Sequence, residues 1–161
     1  MHLIFLLLAL AAPPAAAVRV HAAEIEARLA AIVGDWTIHG QESTYRETCE
    51  WYRNRSFVVC TTEDRSDGSA SQSILGYSKQ LGRFTYHNFS ASGSSRSELG
   101  FPHGERGIVY VDERQTAKGL TRVTTWVEPE PEGRVHFRQA QSVDGGTWKT
   151  TADFHYIRRR P

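Results

Sequence analysis

The sequence predicts an all-β fold: an antiparallel up-and-down β-barrel of about ten strands, with a short N-terminal helix closing one end. Three observations predict it. From residue 35 onward, runs rich in Thr, Val, Tyr, Phe and Trp alternate with clusters of Gly, Asn, Asp, Pro and Ser, the rhythm of a barrel or sandwich. No segment after residue 34 carries a helical period long enough for a crossover, so neighbouring strands must run antiparallel. Two hairpins, finally, fix their own register from turn chemistry and the parity of their side chains.

The chain opens on Leu3 to Ala12, an apolar run of ten residues followed by Pro13, Pro14 and three alanines. That is the pattern of a secretory signal with its small-residue cleavage region, and it is too short for a bilayer span, which needs ~20 residues. Cleavage fits after Ala17 or Ala22, with Ala22 favoured, so residues 1–22 read as signal peptide and 23–161 as one barrel domain. The expected address is periplasmic or secreted, with no integral membrane segment after cleavage. The 19 basic and 18 acidic residues nearly cancel, which excludes the one-signed face that nucleic acid or an anionic membrane would need.

Between Ala23 and Val33, Ile25, Leu29, Ile32 and Val33 form one stripe of an amphipathic helix, and Gly34 ends it. Ten strands follow, at roughly 35–40, 43–53, 56–63, 69–78, 83–91, 94–101, 105–113, 118–127, 133–143 and 147–157. A turn centred on Asn54 and Arg55 sets Cys49 directly opposite Cys60. These are the two cysteines of the chain, and in an oxidising compartment they should form a disulfide. At the other end, Asp144-Gly145-Gly146-Thr147 supplies a tight turn. It faces Phe137 with Phe154 and Val135 with Tyr156 on an apolar side, and Arg138 with Asp153 and His136 with His155 on a solvated one.

Gly34-Asp35-Trp36 at the start of the first strand resembles the Gly-x-Trp signature of the calycin superfamily, the lipocalin and fatty-acid-binding barrels. The longer string is more specific: Cys49-Glu50-Trp51 with Val58-Val59-Cys60, then Leu75-Gly76-Tyr77, then Ser142 to Trp148. Together these are similar to a bacterial family of exported lipocalin-like proteins classed as a domain of unknown function. The resemblance covers about residues 28–157 and implies a calycin-type barrel with an internal ligand and no established reaction.

Motifs that carry covalent chemistry are missing: no Gly-x-Ser-x-Gly elbow, no His-Glu-x-x-His, no phosphate-cradling glycine loop. Asp64 to Gly68 reads as a hairpin turn rather than a calcium loop. Glu47, Glu50, Asp112 and Glu113 offer carboxylates, yet nothing pairs any two of them for acid–base work. His136 opposite His155 makes a two-imidazole face, short of the three ligands a catalytic metal uses. A haem, by analogy with nitrobindin barrels that also open with Gly-x-Trp, would need an inward histidine; His87 and His155 fall on the outward parity. No cofactor, catalytic residue or metal ligand is therefore assigned.

The aromatic residues remain. A barrel of ten strands is wider than its own small side chains fill. Trp36, Tyr45, Trp51, Phe84, Tyr86 and Tyr110 are the expected lining from the first seven strands. Trp126, Phe137, Trp148, Phe154 and Tyr156 are the expected lining from the rest. A six-residue connection at 128–133 would pair Val127 with Arg134 and turn Arg122 inward beside Trp126. Arg122 and Tyr156 would then hold an anionic head, whereas an odd-length connection would send Arg122 to water. The expected function is an exported, non-catalytic binding protein for a small hydrophobic or amphipathic molecule. The alternatives are a structural or interaction module of the cell envelope with a packed interior, and a haem- or metal-dependent barrel enzyme.

Overall fold

A computed structural model describes residues 20–159; the apolar leader expected at the N-terminus lies outside them, apart from its last three residues. Helix α1 spans Ala22–Ala30. Ten strands follow: β1 Gly34–Ile38, β2 Tyr45–Tyr52, β3 Phe57–Asp64, β4 Ser69–Ser78, β5 Arg83–Ser90, β6 Ser95–His103, β7 Gly107–Thr116, β8 Gly119–Pro129, β9 Val135–Val143 and β10 Lys149–Arg158. Each pairs antiparallel with the next, and β1 pairs with β10, closing the barrel with no free edge. Closure leaves no terminal strand as a template for aggregation.

The first hairpin has the expected register. Cys49 faces Cys60, and their sulfurs are bonded at 2.04 Å with the Cα atoms 4.0 Å apart. Its turn runs through Arg53, Asn54 and Arg55, all in the left-handed region, a conformation glycine adopts at less cost. The last hairpin is also as expected from Asp153 to Tyr156, with Phe154 on Phe137 and His155 on His136. A bulge between Thr150 and Ala152 then shifts the pairing by one residue.

The β8–β9 connection departs from expectation. Strand β8 runs on to Pro129, which faces Val135, and a single helical turn at Pro131–Gly133 fills the gap with Glu132 in the left-handed region. The connection is therefore odd in length, and Val127 faces Phe137 instead of Arg134. A shift of odd length reverses the faces of a strand. Thr121, Val123 and Thr125 point inward and are buried, while Arg122 and Trp126 point outward.

The helix ends earlier than its apolar stripe. Ala30 is its last residue, and a turn through Ala31 carries Ile32 and Val33 down to Gly34. Leu29, Ile32, Trp36, Val58, Leu75, Phe84 and Ile108 form the core beneath it. Arg28, buried, latches the helix to the barrel: its guanidinium donates to the carbonyls of His103, Gly104 and Gly107 at the β6–β7 turn and pairs with Glu24. Three main-chain acceptors and a carboxylate compensate the burial of that charge. No helix among the described residues is long and apolar enough to cross a membrane.

Candidate functional site

The barrel encloses a cavity of about 400 Å³, within the range of small-molecule sites, roughly 300–1,000 Å³. Its end under α1 is apolar, made by Ile32, Trp36, Leu75, Val127, Val135 and Phe137. Trp36 anchors that end. It is 3% exposed, its indole Nε1 donates to the Ile32 carbonyl at 2.7 Å, and the Arg158 guanidinium lies 3.9 Å above its ring. Arg158 also donates to the Val33 carbonyl, tying the last strand to the end of the helix segment. Gly34 has φ +144°, and a Cβ there would overlap the Arg158 guanidinium, so the glycine is required twice over.

The opposite end of the cavity is polar. On one wall, Tyr45 donates to Glu47 at 2.6 Å and lies 3.3 Å from the Tyr156 hydroxyl. Burial pushes the Glu47 carboxyl up from its ordinary value, against the opposing pull of hydroxyls from Tyr45, Tyr156 and Thr62. Burial likewise pushes the Tyr45 and Tyr156 phenols up, and the neighbouring Glu47 charge adds to it. Their hydroxyls therefore remain protonated donors. Phe154 supports this wall from behind, stacked on Phe137 at 4.9 Å and edge-on to Tyr156.

The other wall joins β4, β5 and β6. Asn88 donates to Ser73, Ser73 to the Tyr86 hydroxyl, and Arg96 Nη2 to the same hydroxyl at 3.2 Å. Arg96 also lies over the Tyr86 ring. Glu98 is 5% exposed, and burial raises its carboxyl while Arg96 draws it back down. Arg96 Nε is 3.5 Å from Glu98 Oε1, close enough for charge attraction but not aligned as a hydrogen bond, so this buried N–H has no hydrogen-bond partner.

Tyr110 stands between the two ends. Gly100 opposes it across β6 and β7, and a Cβ at Gly100 would come within 2.7 Å of the Tyr110 ring; the glycine lets the ring lie flat against the wall. Tyr110 is 1% exposed and tilted against Tyr86 with ring centroids 5.8 Å apart. Its hydroxyl is buried without a hydrogen-bond partner. An orphaned buried hydroxyl costs about 1–3 kcal/mol.

The structure thus gathers Trp36, Tyr45, Tyr86, Tyr110, Phe137 and Tyr156 around one cavity. Phe84 is inward but fully buried in the core, edge-on to Tyr77, and Phe154 packs behind Phe137. Trp51 packs against the core near the helix end, under the Arg55 guanidinium, and is not part of the lining. Trp148 is 49% exposed. Two expectations are corrected outright. Trp126 is on the outer surface beneath Arg138, and Arg122 is outside, paired with Glu113 at 2.6 Å. The odd connection after β8 moved both, so Arg122 cannot hold an anion within the barrel.

On the solvated face, Asp153 sits opposite Arg138 as expected, yet its carboxylate meets His136 at 2.7 Å, and Arg138 turns to Glu128. Among the described residues no histidine lines the cavity, and His87 bonds Ser97 outside it. The interior offers no haem ligand of that kind. Glu47, Cys49 and Cys60 lie close together, but both sulfurs are spent in the disulfide. No protein-family model matches the chain, and no curated protein sequence shows significant similarity to it. The calycin resemblance therefore stands on the barrel architecture and on the residues quoted for it.

Proposed function

We propose that the protein is an exported binding protein that holds a small amphipathic molecule inside the barrel, apolar end beneath α1 and an uncharged polar head toward the far end. The observation that carries this reading is a cavity of ligand size that has Tyr110, whose fully buried hydroxyl has no partner, in its wall. A buried donor of this kind is satisfied by an acceptor on a guest. Arg96 Nε, at the polar end, is a second unpartnered donor.

Charge selects the head group. The polar end carries two carboxylates, Glu47 and Glu98, against the single guanidinium of Arg96. Arg96 is already committed to Glu98 and Tyr86. A fatty-acid carboxylate entering here would lose its hydration beside two buried carboxyl groups and find no free cation. A carbonyl or ether head would instead accept from Tyr110 and Arg96, and a hydroxyl head would also donate to Glu47.

Native mass spectrometry of the protein from its own host, followed by a fluorescence titration with an alcohol, a monoacylglycerol and a fatty acid of equal chain length, tests the reading. The expected result is a bound neutral amphiphile, a preference for the neutral members over the acid, and about a fivefold to tenfold loss of affinity in Tyr110→Phe. An empty protein that binds none of the three would instead identify a closed structural module.

A further inference from the structure

On the outer surface, away from the cavity, three potential metal ligands come from three separate segments. His136 on β9 and His155 on β10 face each other with their rings stacked, centroids 4.5 Å apart and planes within 10° of parallel. Glu130, from the connection after β8, reaches His155 Nε2 at 3.5 Å. One ligand atom from each of Glu130, His136 and His155 lies within 4.8 Å of the other two. The sequence shows only the histidine pair; the odd-length β8–β9 connection brings in the carboxylate.

We propose that Glu130, His136 and His155 form a surface site for a divalent first-row cation of the Zn²⁺ or Cu²⁺ type. Two imidazoles and one carboxylate are the donor set such ions prefer, whereas Mg²⁺ and Ca²⁺ favour oxygen alone. Three protein ligands leave a position for water or an exogenous group.

The surroundings support the assignment. Neither histidine is fully exposed, with side chains 23% and 39% accessible, and Glu130 is 28% accessible. The backbone N–H of Glu130 is fixed to the Arg134 carbonyl, which holds the carboxylate over the histidines. Glu130 Oε2 is buried and has no hydrogen-bond partner. Asp153, 2.7 Å from His136 Nε2, takes that nitrogen, which leaves Nδ1 of His136 for the ion, as carboxylates beside metal-bound histidines hold the ring nitrogen opposite the metal. The two nearby guanidiniums lean on other oxygens: Arg138 on Glu128, and Arg134 at 3.5 Å on Glu130 Oε2, whereas Oε1 is the oxygen paired with His155. A bound cation would draw Glu130 toward the rings at the expense of the Arg134 contact.

The test is isothermal titration of purified, untagged protein with Zn²⁺ and with Cu²⁺, with thermal unfolding measured at each ratio. Expected are one ion per chain, Cu²⁺ tighter than Zn²⁺, no response to Mg²⁺, and an unfolding midpoint that rises with metal concentration. His136→Ala and His155→Ala should each lower affinity about 100-fold and Asp153→Asn about tenfold. Glu130→Gln should weaken binding while leaving the unfolding midpoint of the metal-free protein unchanged. Cu²⁺-loaded protein should show coupling to two nitrogens by electron paramagnetic resonance. Binding that survives loss of both histidines, is indifferent to Glu130→Gln, or is absent from the wild type would overturn the proposal.

Discussion

The two ends of the barrel interior are built from opposite materials. Under α1 the lining is Ile32, Trp36, Leu75, Val127, Val135 and Phe137, all apolar. At the far end Glu47, Ser73, Asn88, Arg96 and Glu98 crowd the same space. Apolar burial at roughly 25 cal/mol per Å² stabilises the first, whereas each buried carboxylate at the second loses hydration that its hydroxyl partners only partly replace. The helix end thus contributes the larger share of the stability, and the polar end costs some of it.

The largest break in this comparison is at Trp36. Truncating a fully buried indole in a packed core costs about 3–5 kcal/mol, and Trp36→Ala also strands the Ile32 carbonyl and removes the surface under Arg158. Chemical denaturation should show a loss in that range. A loss under about 1 kcal/mol would mean that the helix end is not the stabilising half.

Smaller, and opposite in sign, is the effect expected at Glu47. Its pKa is raised in the folded state by burial, so the folded protein binds that proton more tightly than the unfolded chain does. Stability from this group is then greatest below the ordinary glutamate range, declines as pH rises through the raised value, and stays lower above it. Glu47→Gln removes the charge while keeping an oxygen that accepts from Tyr45. The variant should be more stable than wild type at neutral pH by about 1–2 kcal/mol, with the advantage vanishing near pH 4. A difference that does not change with pH would assign the effect to packing instead of charge.

What was legible in the sequence follows from where parity is informative. The registers at Cys49 and at Phe137 could be read because turn chemistry and an apolar face agree there. The aromatic lining of β1, β2, β5, β7 and β10 followed from the same alternation. Glu47 was within reach of that argument, since it lies two residues from Cys49 and from Tyr45 on the inward face of β2. Ser73, Asn88, Arg96 and Glu98 were not, because β4 to β6 carry polar residues on both faces and alternation gives no sign there. Arg28 was hidden for a different reason: a charged residue on a short helix reads as solvated until the carbonyls it caps are known. The connection after β8 failed on a single count. Its Pro-Glu-Gly segment forms a helical turn with Glu132 in the left-handed region, which changes the loop from even to odd.

That one-residue difference makes the finest test of the comparison, at Arg122. Inside the barrel, an unpaired guanidinium would be costly, and its removal would alter both stability and ligand preference. Outside, its side chain is 51% exposed and its partner Glu113 is 53% exposed, so the pair contributes about 0–1 kcal/mol and is screened by salt. Arg122→Leu should therefore shift stability by no more than about 0.5 kcal/mol and leave the affinities for neutral and anionic amphiphiles in their wild-type ratio. Arg96→Leu, at the polar end, should change that ratio, because it leaves Glu98 buried without its cation and makes the end more repellent to an acid. Should Arg122→Leu selectively weaken fatty-acid binding instead, the outward face of β8 and the division between the two ends would both have to be redrawn.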